Sequence, residues 1–174
     1  MADDGYAHIR NIDLSQVVVK QMQDTCKDKF PSMIFEQMDC RSMAYDDNSF
    51  EAVIDKGTFD SILCGDGSGP YAEQMLSEIH RVLGPAGVYI CISYGTRDNR
   101  LKYFQKSDYT WTVFHHMVAK PTISTSSVVR EEKNEDRNFH WVYVMRKQAG
   151  GEQKWLEWQQ RLKTQILIND KRPL

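Results

Sequence analysis

The cysteines of this chain form no recognisable framework. Cys26, Cys40, Cys64 and Cys91 are far apart, with no C-x-x-C pair and no accompanying histidine pattern, which argues against a zinc site and a disulfide scaffold. They read as reduced thiols. Long apolar runs are missing too: nothing approaches the ~18 residues of a membrane span, and "MADDGYAHIR" lacks the basic stretch and apolar core of a secretory leader. The expectation is a soluble, cytoplasmic protein. Charge of one sign is scarce, since 22 Lys and Arg face 24 Asp and Glu for a net charge of -2. There is no cationic field to hold a phosphate backbone, so neither nucleic acid nor a membrane is an expected partner. No internal repeat or low-complexity segment is visible.

What is present suits a globular fold. The 174 residues, 41% of them hydrophobic, give ample material for one domain and too little for two comfortable ones. The stretch "AHIRNID" reads as a strand ending at Asp13, followed by Ser15 as a helix cap and a helix with Val18, Met22 and Cys26 on one stripe. "SMIFEQMDC" and "SFEAVIDKG" are further strands closing on Asp39 and Asp55. "YAEQMLSEIHRVLG" places Met75, Leu76, Ile79, Val82 and Leu83 on one helical face with Gly84 just past its end, and then "VYICIS" forms an apolar run suited to a sheet covered on both faces. Strands alternating with helices at this spacing predict an α/β domain with a largely parallel sheet.

The final third differs in character. "YTWTVFHHMVA" and "FHWVYVMRK" predict an antiparallel strand pair joined by a long polar connection, "KPTISTSSVVREEKNEDRN". After the two glycines at 150 and 151, Trp155, Trp158, Leu162 and Ile166 mark an amphipathic helix. The expected division is therefore a domain over residues 1–150, followed by a helix and tail over 151–174.

Ligands of open α/β sheets bind beyond the carboxyl ends of the strands, so Asp13, Asp39 and Asp55 are the leading candidates for a site. An acid closing a strand in that position can accept both hydrogen bonds of a ribose diol. The stretch "CGDGSG" carries G-x-G-x-G at Gly65, Gly67 and Gly69 but follows Asp13 by about fifty residues, whereas a dinucleotide loop precedes its acid by ~20. It is expected to be a loop entering the helix at Tyr71.

At "NIDLSQVVVKQMQ", "MDCRSM", "FEAVIDKGTFDSIL", "EIHRVLGPAGVYICISYG" and "FHWVYVMRK" the sequence resembles the class I S-adenosylmethionine-dependent methyltransferases. More narrowly, it is similar to the methyltransferase-like subfamily that includes lysine methyltransferases of translation elongation factor 1A. "DKGTFD" is the most specific piece. The resemblance implies a Rossmann-like α/β sheet with a C-terminal antiparallel pair, S-adenosylmethionine as cofactor, and a protein lysine as acceptor, elongation factor 1A among the possible substrates. It makes Asp13, with Leu14 beside it, the ribose contact, and Asp39 with the Cys40 backbone the adenine contact. Asp55, Lys56 and Gly57 would line the methionine end of the cofactor. Tyr94, Trp111, Phe139 and His140 would shape the acceptor channel, and no catalytic acid or base is singled out. Relative to that family the sequence is expected to be amino-terminally truncated, without the first strand and glycine loop. Two other readings follow from the same residues: a non-catalytic binding or regulatory module, and a nicotinamide-dependent oxidoreductase, against which the antiparallel pair and "DKGTFD" argue.

Overall fold

The computed structural model describes residues 1–120, 139–150 and Gln160. The long connection after Lys120 and the helix expected beyond residue 151 otherwise lie outside the described residues. The chain divides after Ala44 into two compact units, a boundary with no counterpart in the sequence expectation.

The first unit holds a short 3-10 turn (Ala2–Asp4), strand β1 (Arg10–Asp13), helix α1 (Gln16–Cys26) and strand β2 (Ile34–Gln37). The two strands pair in parallel, with Arg10 opposite Ile34 and Asp13 opposite Gln37. Helix α1 starts where its cap dictates: Ser15 is extended, and its Oγ accepts the Val18 amide at 3.3 Å. Its buried face is not the predicted Val18, Met22, Cys26 stripe. The helix buries Val19 while Val18 and Met22 stay exposed. The reason is polar: Gln23 Nε2 donates to the Phe35 carbonyl at 2.9 Å, so the face turned to β2 runs through Val19 and Gln23, one residue round.

The second unit contains β3 (Phe50–Lys56), α2 (Thr58–Leu63), α3 (Ser68–Val82), β4 (Leu83–Ser93), α4 (Arg97–Phe104), β5 (Trp111–Ala119) and β6 (Phe139–Lys147). Its sheet has the order β3-β4-β6-β5. Strands β3 and β4 are parallel, and β6 runs against both β4 and β5, which makes the expected C-terminal antiparallel pair.

Helix α3 buries Met75, Leu76, Ile79 and Val82 as its 3.6 period predicts. It begins at Ser68 rather than Tyr71. Of the three loop glycines only Gly67 has a positive φ, 73°, where it caps the helix, and Gly69 lies within the first turn. At the other end the left-handed residue is Ala86, φ 61°, rather than Gly84, and the close approach falls at Gly87, where a Cβ would lie 2.8 Å from the Gly84 carbonyl. In β4, Tyr89, Cys91 and Ser93 are buried and alternate with the half-buried Val88, Ile90 and Ile92, so one face of this apolar run is sealed more fully than the other.

Helices α2 and α4 carry little sequence signal. The first has six residues, and Asp55 starts it from the preceding strand: its carboxylate accepts the Thr58 and Phe59 amides at 2.8 and 3.2 Å. Phe59, fully buried, then anchors it against Tyr103 and Phe104, with ring centroids 5.7 and 5.2 Å away. A ring so enclosed contributes about 3 kcal/mol of burial. Among the described residues no helix is long and apolar enough to cross a membrane.

Candidate functional site

In the first unit the parallel pair places Asp13 at the carboxyl end of β1 and Asp39 two residues past the end of β2. Asp13 is exposed; its Oδ1 accepts the Ser15 amide at 2.7 Å, and Leu14 beside it is exposed too. Asp39 is engaged more heavily. Arg41 Nε lies 3.0 and 3.1 Å from its two oxygens, Arg41 Nη2 lies 2.7 Å from Oδ2, and the Arg41 amide donates to Oδ1 at 2.8 Å. The guanidinium holds this carboxyl below its ordinary pKa. Cys40 is half-buried between them in sequence.

In the second unit the carboxyl ends of β3 and β4 form one edge. Lys56 pairs with Ile92, and the Gly57 amide donates to the Ile92 carbonyl at 3.1 Å, with Gly57 left-handed at φ 85°. Asp55 is only 5% exposed. Besides the two α2 amides it accepts the Tyr89 hydroxyl at 3.2 Å and the Cys91 thiol at 3.5 Å, and burial raises the pKa of both of those partners. Lys56 is exposed.

Tyr94 follows β4 at the same edge and is 58% exposed, its hydroxyl 3.3 Å from Cys64 Sγ. Register places the remaining candidates. Ser93 is opposite Trp141, which is opposite Met117, so His140 and Phe139 extend one and two residues past that row at the Tyr94 edge. Trp111 is opposite Lys147 at the other end of the sheet. It stands six residues from Met117, roughly 20 Å at ~3.3 Å per residue. There it is 8% exposed, donates from Nε1 to the Phe104 carbonyl at 2.7 Å and packs on His80, Tyr89 and Tyr109. The edge therefore brings together Asp55, Lys56, Gly57, Tyr94, Phe139 and His140, and leaves Trp111 out.

Sequence reasoning missed three residues of this edge. Trp141 stacks on Tyr143 and is level with Ser93, and its Nε1 is, among the described residues, a buried polar atom without a hydrogen-bond partner. Asp60 and Arg100 form a buried pair beneath Tyr94, with Arg100 Nη2 2.7 Å from Asp60 Oδ1. Only the antiparallel register could have put Trp141 here. No group of His, Cys, Asp or Glu among the described residues is placed to hold a metal ion.

Residues 1–91 match the family described as "Methyltransferase domain". The chain is 34% identical over 127 residues to the "eEF1A lysine and N-terminal methyltransferase" of Xenopus laevis, a match covering 70% of this chain and 18% of that protein. It is 32% identical over 119 residues to the mouse "EEF1A lysine methyltransferase 4", covering 64% of this chain and 46% of the relative. The chain thus spans less than half the length of either. Among solved structures, the [4+2]-cyclase SpnF superposes with a TM-score of 0.62 at 16% identity, over 86% of this chain and 70% of that one. The N-methyltransferase NodS of Bradyrhizobium japonicum, solved with S-adenosyl-L-homocysteine, gives 0.58 at 9% identity, over 80% and 66%. At such identities these likenesses speak for the fold, an α/β class I methyltransferase sheet.

Proposed function

The chain belongs to the methyltransferase-domain family, and from that premise we propose that it transfers a methyl group from S-adenosylmethionine to a lysine side chain of a protein. Relatives named for elongation factor 1A lysine methylation support the choice of acceptor. They favour this reading over a purely binding module. The observation that carries it is the carboxyl edge of the parallel β3 and β4 pair, where the "DKGTFD" turn and Tyr94 meet.

The residues of each unit are assigned separately. In the first, Asp13 suits a ribose diol: Oδ1 is held by the Ser15 amide, and Oδ2 makes no hydrogen bond among the described residues. Asp39, its carboxylate fixed by Arg41, and the Cys40 backbone are assigned to the adenine. In the second, Lys56 and Gly57 are assigned to the methionine end, with Asp55 holding the turn that presents them. When bound, the cofactor supplies an electrophilic methyl on a sulfonium.

The chain contributes alignment and exclusion of water rather than covalent chemistry. An acceptor lysine, with an ordinary pKa of ~10.4, has to lose a proton before it attacks. Asp55 accepts four donors and is committed to holding the turn. The proton leaves to solvent at the open edge beside Tyr94, whose ring face stabilises the cationic amine on arrival.

Calorimetric titration of the 174-residue chain with S-adenosylmethionine and S-adenosylhomocysteine tests the reading, followed by transfer of labelled methyl to purified elongation factor 1A. Saturable binding near one site per chain, lost in Asp13→Ala, is expected. A folded chain that binds neither compound, or an Asp13→Ala variant with unchanged affinity, overturns it.

A further inference from the structure

The loop after β4 is tied down more heavily than any turn of its length requires, and every tie comes from buried side chains. Asp60 Oδ2 accepts the Tyr94 amide at 3.1 Å. Ser93 Oγ accepts the Gly95 amide at 2.9 Å and donates to Asp60 Oδ1. Arg100 completes the set from α4, with Nε 3.0 Å from Ser93 Oγ and 3.2 Å from Asp60 Oδ1. Tyr143, from β6, donates to the Gly95 carbonyl at 2.8 Å. The Ser93 hydroxyl thus uses its one donor and both acceptor sites inside the protein. Gly95 closes the arrangement sterically, because a Cβ there would overlap the Arg100 guanidinium.

The contrast in exposure is sharp. Asp60 is 2% exposed and Ser93 1%, while Tyr94 between these ties is 58% exposed. A buried ion pair is a costly way to gain stability, since apolar residues of the same volume often do as well or better. What the pair supplies that apolar residues cannot is direction: Asp60 fixes the Tyr94 amide, and the pair together orients the Ser93 hydroxyl that holds the Gly95 amide.

We propose that Asp60 and Arg100 are positioning residues that clamp Ser93–Tyr94–Gly95, and that Tyr94, held by them, is the aromatic contact for the cationic amine of the acceptor. The second half rests on the lysine-methylation reading above; the first stands on the geometry alone. Neither residue touches the reacting atoms. Both act through Tyr94.

Cys64 provides a reporter that needs no activity, because its exposed thiol lies against the Tyr94 hydroxyl. Alkylation of the full chain with iodoacetamide, read at Cys64 by peptide mass mapping, is expected to run roughly threefold to tenfold faster in Tyr94→Ala. Arg100→Lys and Gly95→Ala are expected to shift it the same way, although they leave Tyr94 and Cys64 in place. Wild-type rates in both, with a faster Tyr94→Ala, overturn the clamp; two variants guard against one failing to fold. In the methyl-transfer assay Arg100→Lys is expected to raise the KM for elongation factor 1A roughly tenfold with S-adenosylmethionine affinity unchanged. An unchanged acceptor KM overturns the acceptor role. A wild-type chain that binds no cofactor overturns the lysine-methylation reading and that role with it, while the alkylation rates decide the clamp independently.

Discussion

At the amino end of the four-stranded sheet, polar side chains are used up by the fold. Lys147 Nζ donates to the carbonyls of His80 at 2.7 Å and Leu83 at 2.6 Å, and to Asn48 Oδ1 at 3.3 Å, so it closes the last turn of α3 from the neighbouring strand. His80 Nε2 accepts the Thr110 amide at 3.2 Å, and Trp111 spends its indole N–H on Phe104. At the carboxyl end the bonds lie one layer deeper, among Asp55, Asp60, Ser93 and Arg100, and the residues above them, Lys56 and Tyr94, stay exposed. One end is a sealed hem and the other a platform. Aromatic and basic residue types are committed to the fold at the first and left exposed at the second, so Trp111 and Tyr94, both aromatic, differ in surroundings.

The carboxyl end depends most on Asp60. If the carboxyl end is held by its buried layer, Asp60→Ala leaves the Arg100 guanidinium buried without its counter-charge and costs about 3–5 kcal/mol in urea unfolding. A loss below about 1 kcal/mol would mean that the loop is held by other means.

The amino end is sharpened by pH. Burial, with a smaller push from the Lys147 charge, lowers the His80 pKa from 6.5 to about 4. The folded state therefore keeps a neutral imidazole that accepts from the Thr110 amide. As pH falls through 6.5 the unfolded chain takes up a proton that the folded chain refuses until about 4, so stability is lost across that window. Because His80 is only partly buried, a drop of roughly 1 kcal/mol between about pH 7 and about pH 5 is expected, flattened in His80→Gln. An identical pH profile in that variant would remove His80 from the account.

Much of this contrast was legible in the sequence only as parts. The β5 and β6 runs announced themselves through β-branched and aromatic residues, and Ser15 through its cap chemistry, because both signals are local. The end of the sheet on which Trp111 falls was not legible, since strand pattern fixes the face of a residue but leaves its register to the partner strand. Helix α4 was hidden for a different reason. Its buried positions are Arg100 and Phe104, so half of its inward face is a cation and no apolar period results. The Asp60–Arg100 pair spans forty residues, and nothing in either local stretch names the other. For the strand-end acids, sequence indicated position but not occupation: among the described residues Asp13 Oδ2 accepts no hydrogen bond, whereas both Asp55 oxygens accept.

The smallest expected effect discriminates best between hem and platform. Tyr94→Ala removes a large aromatic side chain, yet that side chain is mostly in water and its hydroxyl meets only Cys64 among the described residues. The contact raises the phenol's pKa above its ordinary value, but a bond between two exposed groups holds little of the fold. Unfolding free energy is therefore expected to stay close to that of the wild type. Trp111→Ala at the other end opens a cavity and orphans the Phe104 carbonyl, a loss several times larger. Measured side by side in urea, the two aromatics should separate cleanly. If Tyr94→Ala costs as much as Trp111→Ala, the carboxyl end is another hem, and the exposed ring is a structural residue rather than one kept available for a ligand.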